Sequence, residues 1–314
     1  MTYSNKIVSV VMITYGHGAY ISQAIEGVLA QETDFQIEVI IANDSSPDNT
    51  DDVVMWYINN HPKGNLLKYI NHKVNIGMHA NFFSALNVCQ GKYVAFCEGD
   101  DYWTDPNKLK TQFDILENDA DLGLVHSDYD IIFQSTGDIQ TNVNINKKIP
   151  TGTIYLDLIK NNSIATLTVM VRKELCNKIS PKLYTLSKDM LMIDYPFWLF
   201  IALECKVAYI NKSMACYRFL ENSASHSNDI TKLIRFENSL YDIRFHFLKH
   251  IMNASPKIVR EIITNHKYQK LAQLSRISSQ WREFTKTFIV FHSKNRTLKH
   301  SIGSFYYLFK KVLR

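Results

Sequence analysis

The chain has 314 residues, with 35 Lys and Arg against 30 Asp and Glu and a formal net charge of +5. That length suits one large or two modest domains. A hydrophobic content of 46% against 21% charged residues excludes a disordered chain, and only 11 Gly and 7 Pro exclude collagen-like and low-complexity sequences. The charge is unevenly spread: residues 1–230 carry 18 basic and 26 acidic side chains, net −8, and the last 84 carry 17 basic and four acidic ones, net +13.

Ile7 to Ile13 (IVSVVMI) is a β-branched run of the kind that forms a strand buried on both faces of a parallel sheet, and it ends in the turn Thr14-Tyr15-Gly16-His17-Gly18. Ile21, Ile25, Val28 and Leu29 follow at helical spacing. Ile37 to Ala42 predicts a second buried strand, then the polar loop Asn43 to Thr50 and a helix through Val53, Val54, Tyr57 and Ile58. Leu66 to Ile70 predicts a third strand, Ala80 to Val88 a helix and Tyr93 to Cys97 a fourth strand. Strand and helix alternate four times, the signature of an α/β domain with a mostly parallel sheet, in which ligands bind beyond the carboxyl ends of the strands. Past Pro106 the pattern predicts a helix over 107–117, a strand over 122–129, a loop or hairpin over 134–150, a strand over 165–172, a helix over 194–203 and short strands over 206–210 and 214–219. After Ser223 to Asn228 the texture turns continuously helical. The predicted division is therefore an α/β domain over 1–227 and a basic helical region over 228–314.

The five cysteines form no CxxC pair, as suits buried free thiols in a reducing compartment. One Lys before a short apolar run, without a small-residue cleavage site, argues against a secretory signal. The longest apolar stretch, Tyr195 to Ile210, is broken by Glu204 and Lys206, short of the ~18 residues a span needs. The expected place is the cytoplasm, or the cytoplasmic face of the inner membrane.

Four segments can carry chemistry. Glu98-Gly99-Asp100-Asp101-Tyr102-Trp103 crowds three carboxylates at a strand end, where a hard divalent cation and phosphate oxygens would relieve their repulsion; an acidic turn capping the next helix is the alternative. In Asn43 to Thr50, Asp44 is the better ligand candidate, whereas Ser46 and Asp48 suit turn closure and capping. Asn75-Ile76-Gly77-Met78-His79 precedes a helix and can present backbone donors, with His79, to an anion; Gly77 equally suits a turn of positive φ. Asp194 opens a strongly apolar helix, where partial desolvation makes a carboxylate a better base, and where it can equally be a helix start.

The blocks IVSVVMITYG, IIANDSSPDNT, NIGMHANFFSALNVCQGKYVAFCEGDDYW and MIDYPFWLFIALECKVAYINKSMACYR, in this order over residues 6–225, resemble the signature blocks of family 2 glycosyltransferases, inverting enzymes of the GT-A fold. The resemblance implies a transferase moving a hexosyl or N-acetylhexosaminyl group from a nucleotide-sugar, UDP first and dTDP next, to a hydroxyl on a lipid-linked or surface-glycan precursor. It implies that Thr14, Tyr15, Asn43, Asp44, Asn75, Gly77, His79, Glu98 and Gly99 line the donor nucleotide. It also implies that Asp100, with Glu98, holds Mn²⁺ or Mg²⁺ and that Asp194 is the catalytic base; Arg218, and His226 in place of the His that the family often has two residues past that Arg, are candidates to face the diphosphate or metal. The chain departs from the family at Asn43 and at Glu98, where Asp is commoner, and at Leu220, where a His is frequent.

In the last predicted helix Leu298, Ile302, Phe305, Phe309 and Val312 form an apolar stripe among Arg296, Lys299, Lys310, Lys311 and Arg314, suited either to an anionic membrane surface or to packing on the body. Three other readings compete. An oxidoreductase fits Gly16-His17-Gly18 but lacks the third glycine, Ile21 standing there. A nucleic-acid binder fits the basic tail but not its lack of a helix-turn-helix or aromatic-interleaved motif. A degenerate transferase that binds donor without transferring it fits the departures at Glu98 and Leu220.

Overall fold

The computed structural model describes residues 4–187, 190–221, 229–259 and 262–263. Two compact units divide the chain, Met1–His226 and Ser227–Arg314.

The first unit is built on a nine-stranded sheet. Strands β1 (Ser4–Thr14), β2 (Gln36–Asn43), β3 (Leu67–Asn71) and β4 (Gly91–Phe96) are mutually parallel in the spatial order β3-β2-β1-β4. Their β-branched runs are buried on both faces, with Val8, Val10, Met12, Val39, Ile40 and Ile41 at 2% exposure or less. The helices between them are α1 (Ile21–Leu29), α2 (Thr50–Asn60) and α3 (Met78–Val88). In α1 the buried residues Ile21, Ala24, Ile25, Val28 and Leu29 form the single stripe that a helix lying on a sheet requires. The chain steps outward from β1 to β2 to β3 and then crosses back to lay β4 on the other side of β1. The strand order reverses between β1 and β4, and in such sheets a crevice opens outside the carboxyl ends at that point.

Beyond β4 the sheet becomes mixed. The two-residue strand β5 (Tyr102–Trp103), α4 (Lys108–Asn118), β6 (Leu122–Phe133), β7 (Ile139–Gln140), α5 (Tyr155–Lys160) and β8 (Met170–Arg172) follow. Next come α6 (Lys173–Ser187), α7 (Asp194–Glu204) and β9 (Lys206–Phe219). β8 is antiparallel to β4 and β6, β7 to β6 and β5 to β9, while β6 and β9 are parallel. Three differences from the sequence pattern have local causes. Residues 165–172 are only partly strand, because Thr168 Oγ1 bonds the Ala165 carbonyl at 2.6 Å and closes a 3₁₀ turn at Thr166–Thr168 before β8 begins. The two short strands of 206–219 are one, bent where its register with β6 shifts. No element is predicted over 173–187, where α6 carries Pro181 in its interior, a residue that reads as a breaker.

α7 is apolar around its whole circumference and accordingly enclosed, Tyr195 to Ala202 all being buried. An aromatic cluster docks it: Phe82 of α3 stacks on Phe96 with centroids 5.9 Å apart, Phe197 meets Phe82 at 5.7 Å, and Trp198 meets Phe96 at 5.6 Å. All five cysteines are free thiols, four of them buried and Cys205 half-buried.

In the second unit, α8 (Ile230–His246) starts at Asp229, whose side chain accepts from the Thr231 N–H, and runs into a π turn at Phe247–Ile251 before α9 (Pro256–Val259). His226 and the last predicted helix, with its apolar stripe, lie outside the described residues. Among the described residues no helix is long and apolar enough to cross a membrane.

One buried amide ties the body together beneath the crevice. Gln31, 4% exposed, donates to the Asp105 carbonyl at 2.8 Å and accepts from the Leu109 N–H at 3.0 Å, joining the end of α1 to the start of α4. Gln31→Ala leaves the Leu109 N–H without its partner, while the Asp105 carbonyl keeps the Lys108 N–H at 3.2 Å, a loss of about 1–3 kcal/mol. Urea denaturation should show a lower midpoint with an unchanged slope.

Candidate active site

The crevice at the β1/β4 reversal is lined by four loops, the acidic one being the last. The first two are stitched together by backbone donors. Gly16, at φ +72°, donates to Ser46 Oγ at 2.9 Å, His17 donates to Thr50 Oγ1 at 3.1 Å, and Gly18 donates to Asp48 Oδ2 at 2.9 Å. Burial would raise the Asp48 carboxyl, but bonds from the Thr50 hydroxyl and the Gly18 and Thr50 N–H groups hold it below the usual range. Ser46 and Asp48 thus close turns. Asn43 is drawn into the same structure: its Nδ2 donates to the Tyr69 hydroxyl at 2.9 Å, and its Oδ1 accepts from Ser46 N at 3.0 Å and Ser46 Oγ at 2.5 Å.

Asp44, 3% exposed, reaches across to the third loop. Oδ1 accepts from Ile76 N at 2.7 Å and Oδ2 from Gly77 N at 2.9 Å. Asn75 Oδ1 also accepts from Gly77 N, at 3.1 Å, and Gly77 at φ +86° caps α3. His79 points elsewhere. It is half-buried, burial pushes its pKa down, and its ring bonds the Ser187 backbone at the end of α6. Thr14 is buried at the strand end, whereas Tyr15 beside it is half exposed.

The acidic segment is held in place by continuation of the β1–β4 ladder past the end of the strand. Cys97 N donates to Val11 O at 3.1 Å and Gly99 N to Ile13 O at 3.0 Å. Side chains two apart share a face, so Glu98 points to the side on which Phe96 meets α7. Asp194, the first residue of α7, lies close enough for its charge to act on Glu98. Burial, then Asp100, then Asp194 push the Glu98 carboxyl up to about 8. Burial also raises Asp194, partly offset by the Tyr195 N–H and by the Thr166 hydroxyl at 3.4 Å. Asp101 is buried and raised well above the carboxylate range by burial and its acidic neighbours. Its Oδ1 accepts the Arg218 N–H at 2.8 Å, so it holds the loop.

Arg218 is the clamp of this loop. Its Nε donates to the Asp100 carbonyl at 2.8 Å, Nη1 to Gln134 at 2.6 Å and Nη2 to Gln23 at 2.6 Å, with Tyr20 stacked 4.7 Å away. It is 5% exposed and shapes the backbone of Asp100 rather than extending a free guanidinium into the crevice.

Among the described residues, no Lys or Arg pairs with the carboxylates of Glu98, Asp100 or Asp194. Nor do three His, Cys, Asp or Glu side chains converge to hold a metal by themselves. The donor set nonetheless fits a hard divalent ion. Its oxygens are crowded and uncompensated, and such ions in nucleotide sites take one or two carboxylates from the protein and the rest of their shell from phosphate and water. Of the residues singled out in the sequence, the fold brings Thr14, Glu98, Gly99, Asp100 and Asp194 into one crevice. Asn43, Asp44, Asn75 and Gly77 meet along its adjoining edge, while His79 turns away. Gln23, Gln134 and Thr166 carry no sequence signal, being ordinary polar residues far apart in the chain.

Comparison with known proteins gives this crevice a context. The model of the family described as glycosyl transferase family 2 matches residues 9–179. An uncharacterized protein of Mycobacterium tuberculosis is 32% identical over 224 residues, 70% of this chain and 60% of that protein. The chain thus spans about three fifths of the length of the mycobacterial relatives it matches. The Escherichia coli UDP-Glc:alpha-D-GlcNAc-diphosphoundecaprenol beta-1,3-glucosyltransferase WfgD is 28% identical over 232 residues, 73% of this chain and 83% of WfgD. The structure of S. aureus TarS in complex with UDP-GlcNAc superposes with a TM-score of 0.57 at 19% identity, covering 76% of this chain and 66% of that one. The mannosyltransferase PcManGT from Pyrobaculum calidifontis, in complex with GDP-Man and Mn²⁺, superposes with a TM-score of 0.59 at 14% identity, covering 97% and 86%. These likenesses establish a GT-A-like fold.

Because the Glu98 pKa is raised on folding, the folded state holds a proton that the unfolded state gives up above its lower pKa. The stability that this proton contributes is therefore full below about pH 4.5 and is lost as pH rises towards 8. Glu98→Gln should remove this part of the slope. In EDTA, the variant's melting temperature should equal or trail that of the wild type at pH 5 and exceed it at pH 8.

Proposed function

The chain belongs to glycosyl transferase family 2, and from that premise we propose that it moves a sugar from a nucleoside-diphosphate donor, a UDP-sugar, to an acceptor hydroxyl with inversion. The observation that carries this reading is the meeting of Asp194 with Glu98 and Asp100 at the strand-order reversal, with a base candidate facing a cation-compatible acidic loop.

In this reading Tyr15, half exposed beside Thr14, covers the base. Asp44 acts from the neighbouring strand end while clamping the loop that caps α3, and Asn43 sets that turn from behind. Asp100, with Glu98, would hold Mn²⁺ or Mg²⁺, and that ion would supply positive charge to offset the charge building on the departing diphosphate. Asp194 takes the proton from the acceptor oxygen as that oxygen attacks the anomeric carbon from the face opposite the leaving group. One displacement inverts the centre. The raised pKa of Asp194 makes its carboxylate a stronger base, and the Thr166 hydroxyl orients it. Arg218 keeps the Asp100 backbone in register without touching the donor.

A UDP-sugar is favoured by the donors named for WfgD and TarS, with the GDP-Man complex of PcManGT marking the alternative. The diphosphoundecaprenol acceptor named for WfgD supports a lipid-linked acceptor for this chain. The +13 charge of its last 84 residues would draw it to an anionic membrane from the cytoplasmic side. Residues 1–227 are read as the catalytic part and 228–314 as the appendage.

Asp194→Asn should lower sugar transfer by about 10²- to 10⁴-fold while leaving donor affinity within a few fold. The check is metal-dependent release of nucleoside diphosphate across UDP-, dTDP- and GDP-sugars with an acceptor present. Unchanged turnover would remove Asp194 as the base, and wild-type binding of donor without turnover would favour the degenerate transferase. For the tail, a chain ending near Asn295 should lose sedimentation with anionic liposomes that the full chain retains. Equal sedimentation would exclude the last helix as the anchor.

A further inference from the structure

His17 lies between β1 and α1 and takes no part in the mechanism above. Its backbone is fixed on both sides: the N–H donates to Thr50 Oγ1 at 3.1 Å, and the carbonyl accepts from Tyr20 and Ile21 at 2.8 Å each. The ring turns back towards the acidic loop. Its Nδ1 stands 3.9 Å from Asp100 Oδ1, beyond hydrogen-bond reach, and is sealed from solvent without a partner. Thr14, 2% exposed, presents an Oγ1 that is likewise buried and unpartnered. The two atoms flank Gly99, where an added Cβ would lie 2.7 Å from Thr14 Oγ1 and 3.0 Å from His17 Nδ1. Glycine at 99 is what lets both polar atoms approach the loop. Buried polar atoms without partners are costly, and in native proteins each calls for an explanation, a missing ion or water among them.

We propose that His17 Nδ1 is a ligand, beside Asp100, of the divalent cation in this crevice, and that the imidazole biases the site towards Mn²⁺ over Mg²⁺. The proposal rests on the transferase reading and deepens it. Two ligands at roughly 2.1 Å from one octahedral ion stand about 3.0 Å apart when adjacent and about 4.2 Å when opposite. The 3.9 Å between His17 and Asp100 lies about 0.3 Å inside the opposite arrangement and about 0.9 Å outside the adjacent one, so one ion can reach both after a small side-chain shift. With His17 and Asp100 as direct ligands, Glu98 would reach the ion through a bound water and the donor's phosphates would complete the shell. Mg²⁺ keeps to oxygen ligands, whereas imidazole nitrogen suits transition metals, so a histidine in the shell separates the two ions where carboxylates alone do so less.

The test uses the full chain with Mn²⁺ and UDP, and with GDP in parallel. Pulsed EPR of the wild type should show ¹⁴N coupling of an imidazole to Mn²⁺, absent in His17→Ala. Mn²⁺ affinity should fall roughly tenfold or more in that variant, while Mg²⁺ affinity, read by competition, changes less. The wild-type spectrum does not depend on how the variant folds. Bound Mn²⁺ without imidazole coupling, or equal Mn²⁺ affinity in a folded His17→Ala, would overturn the assignment of His17 and leave the transferase reading in place. Absence of saturable Mn²⁺ binding with either nucleotide would overturn both.

Discussion

Carboxylates repel one another most strongly where water is excluded, and this protein assembles Glu98, Asp100 and Asp194 at one sheet edge without a lysine or arginine among the described residues to pair them. Much of the surrounding structure can be understood as holding that arrangement against its own repulsion. The β1–β4 ladder runs on past the strand to Gly99. Asp101 and Arg218 tie the loop's far side to β9, and the guanidinium bridges Gln23, Gln134 and the Asp100 carbonyl. On the other face, aromatic packing of α7 on Phe82 and Phe96 keeps Asp194 beside Glu98. Under the proposed function, a cation and the donor's phosphates would relieve that repulsion.

The neighbouring loops show a second constraint. Asn43 and Asp44 look like ligands in a polar strand-end loop whose Ser46 and Asp48 suit turn closure, yet all four are bound to backbone or to another side chain of the same crevice. Their hydrogen bonds join three loops into one rim. In the proposed transferase, rigidity of that kind would reduce the ordering required when a flexible nucleotide binds.

Periodicity made the four parallel strands and their helices legible, because strands buried on both faces must be apolar throughout and the helices that cover them must carry a stripe. The mixed half was less legible. β8 is three residues long, β5 two, and α6 contains Pro181, so neither length nor pattern marks them. Among site residues, Asp100 and Asp194 stood out as acids at a strand end and a helix start. His79 looked similar, but its ring follows the local path of α3 towards Ser187.

The sequence by itself determined the α/β class, the four ordered blocks that resemble a transferase family, and the separation of an acidic body from a basic tail. These depend on residue type and spacing along the chain. Only the tertiary structure decided which polar residues share a crevice. It brought Asp194 to Glu98 from 96 positions away, turned Arg218 into a structural clamp and left His17 Nδ1 buried and unpaired beside Asp100. Such contacts arise from strand order and helix docking, and nothing in the local sequence around either partner encodes them.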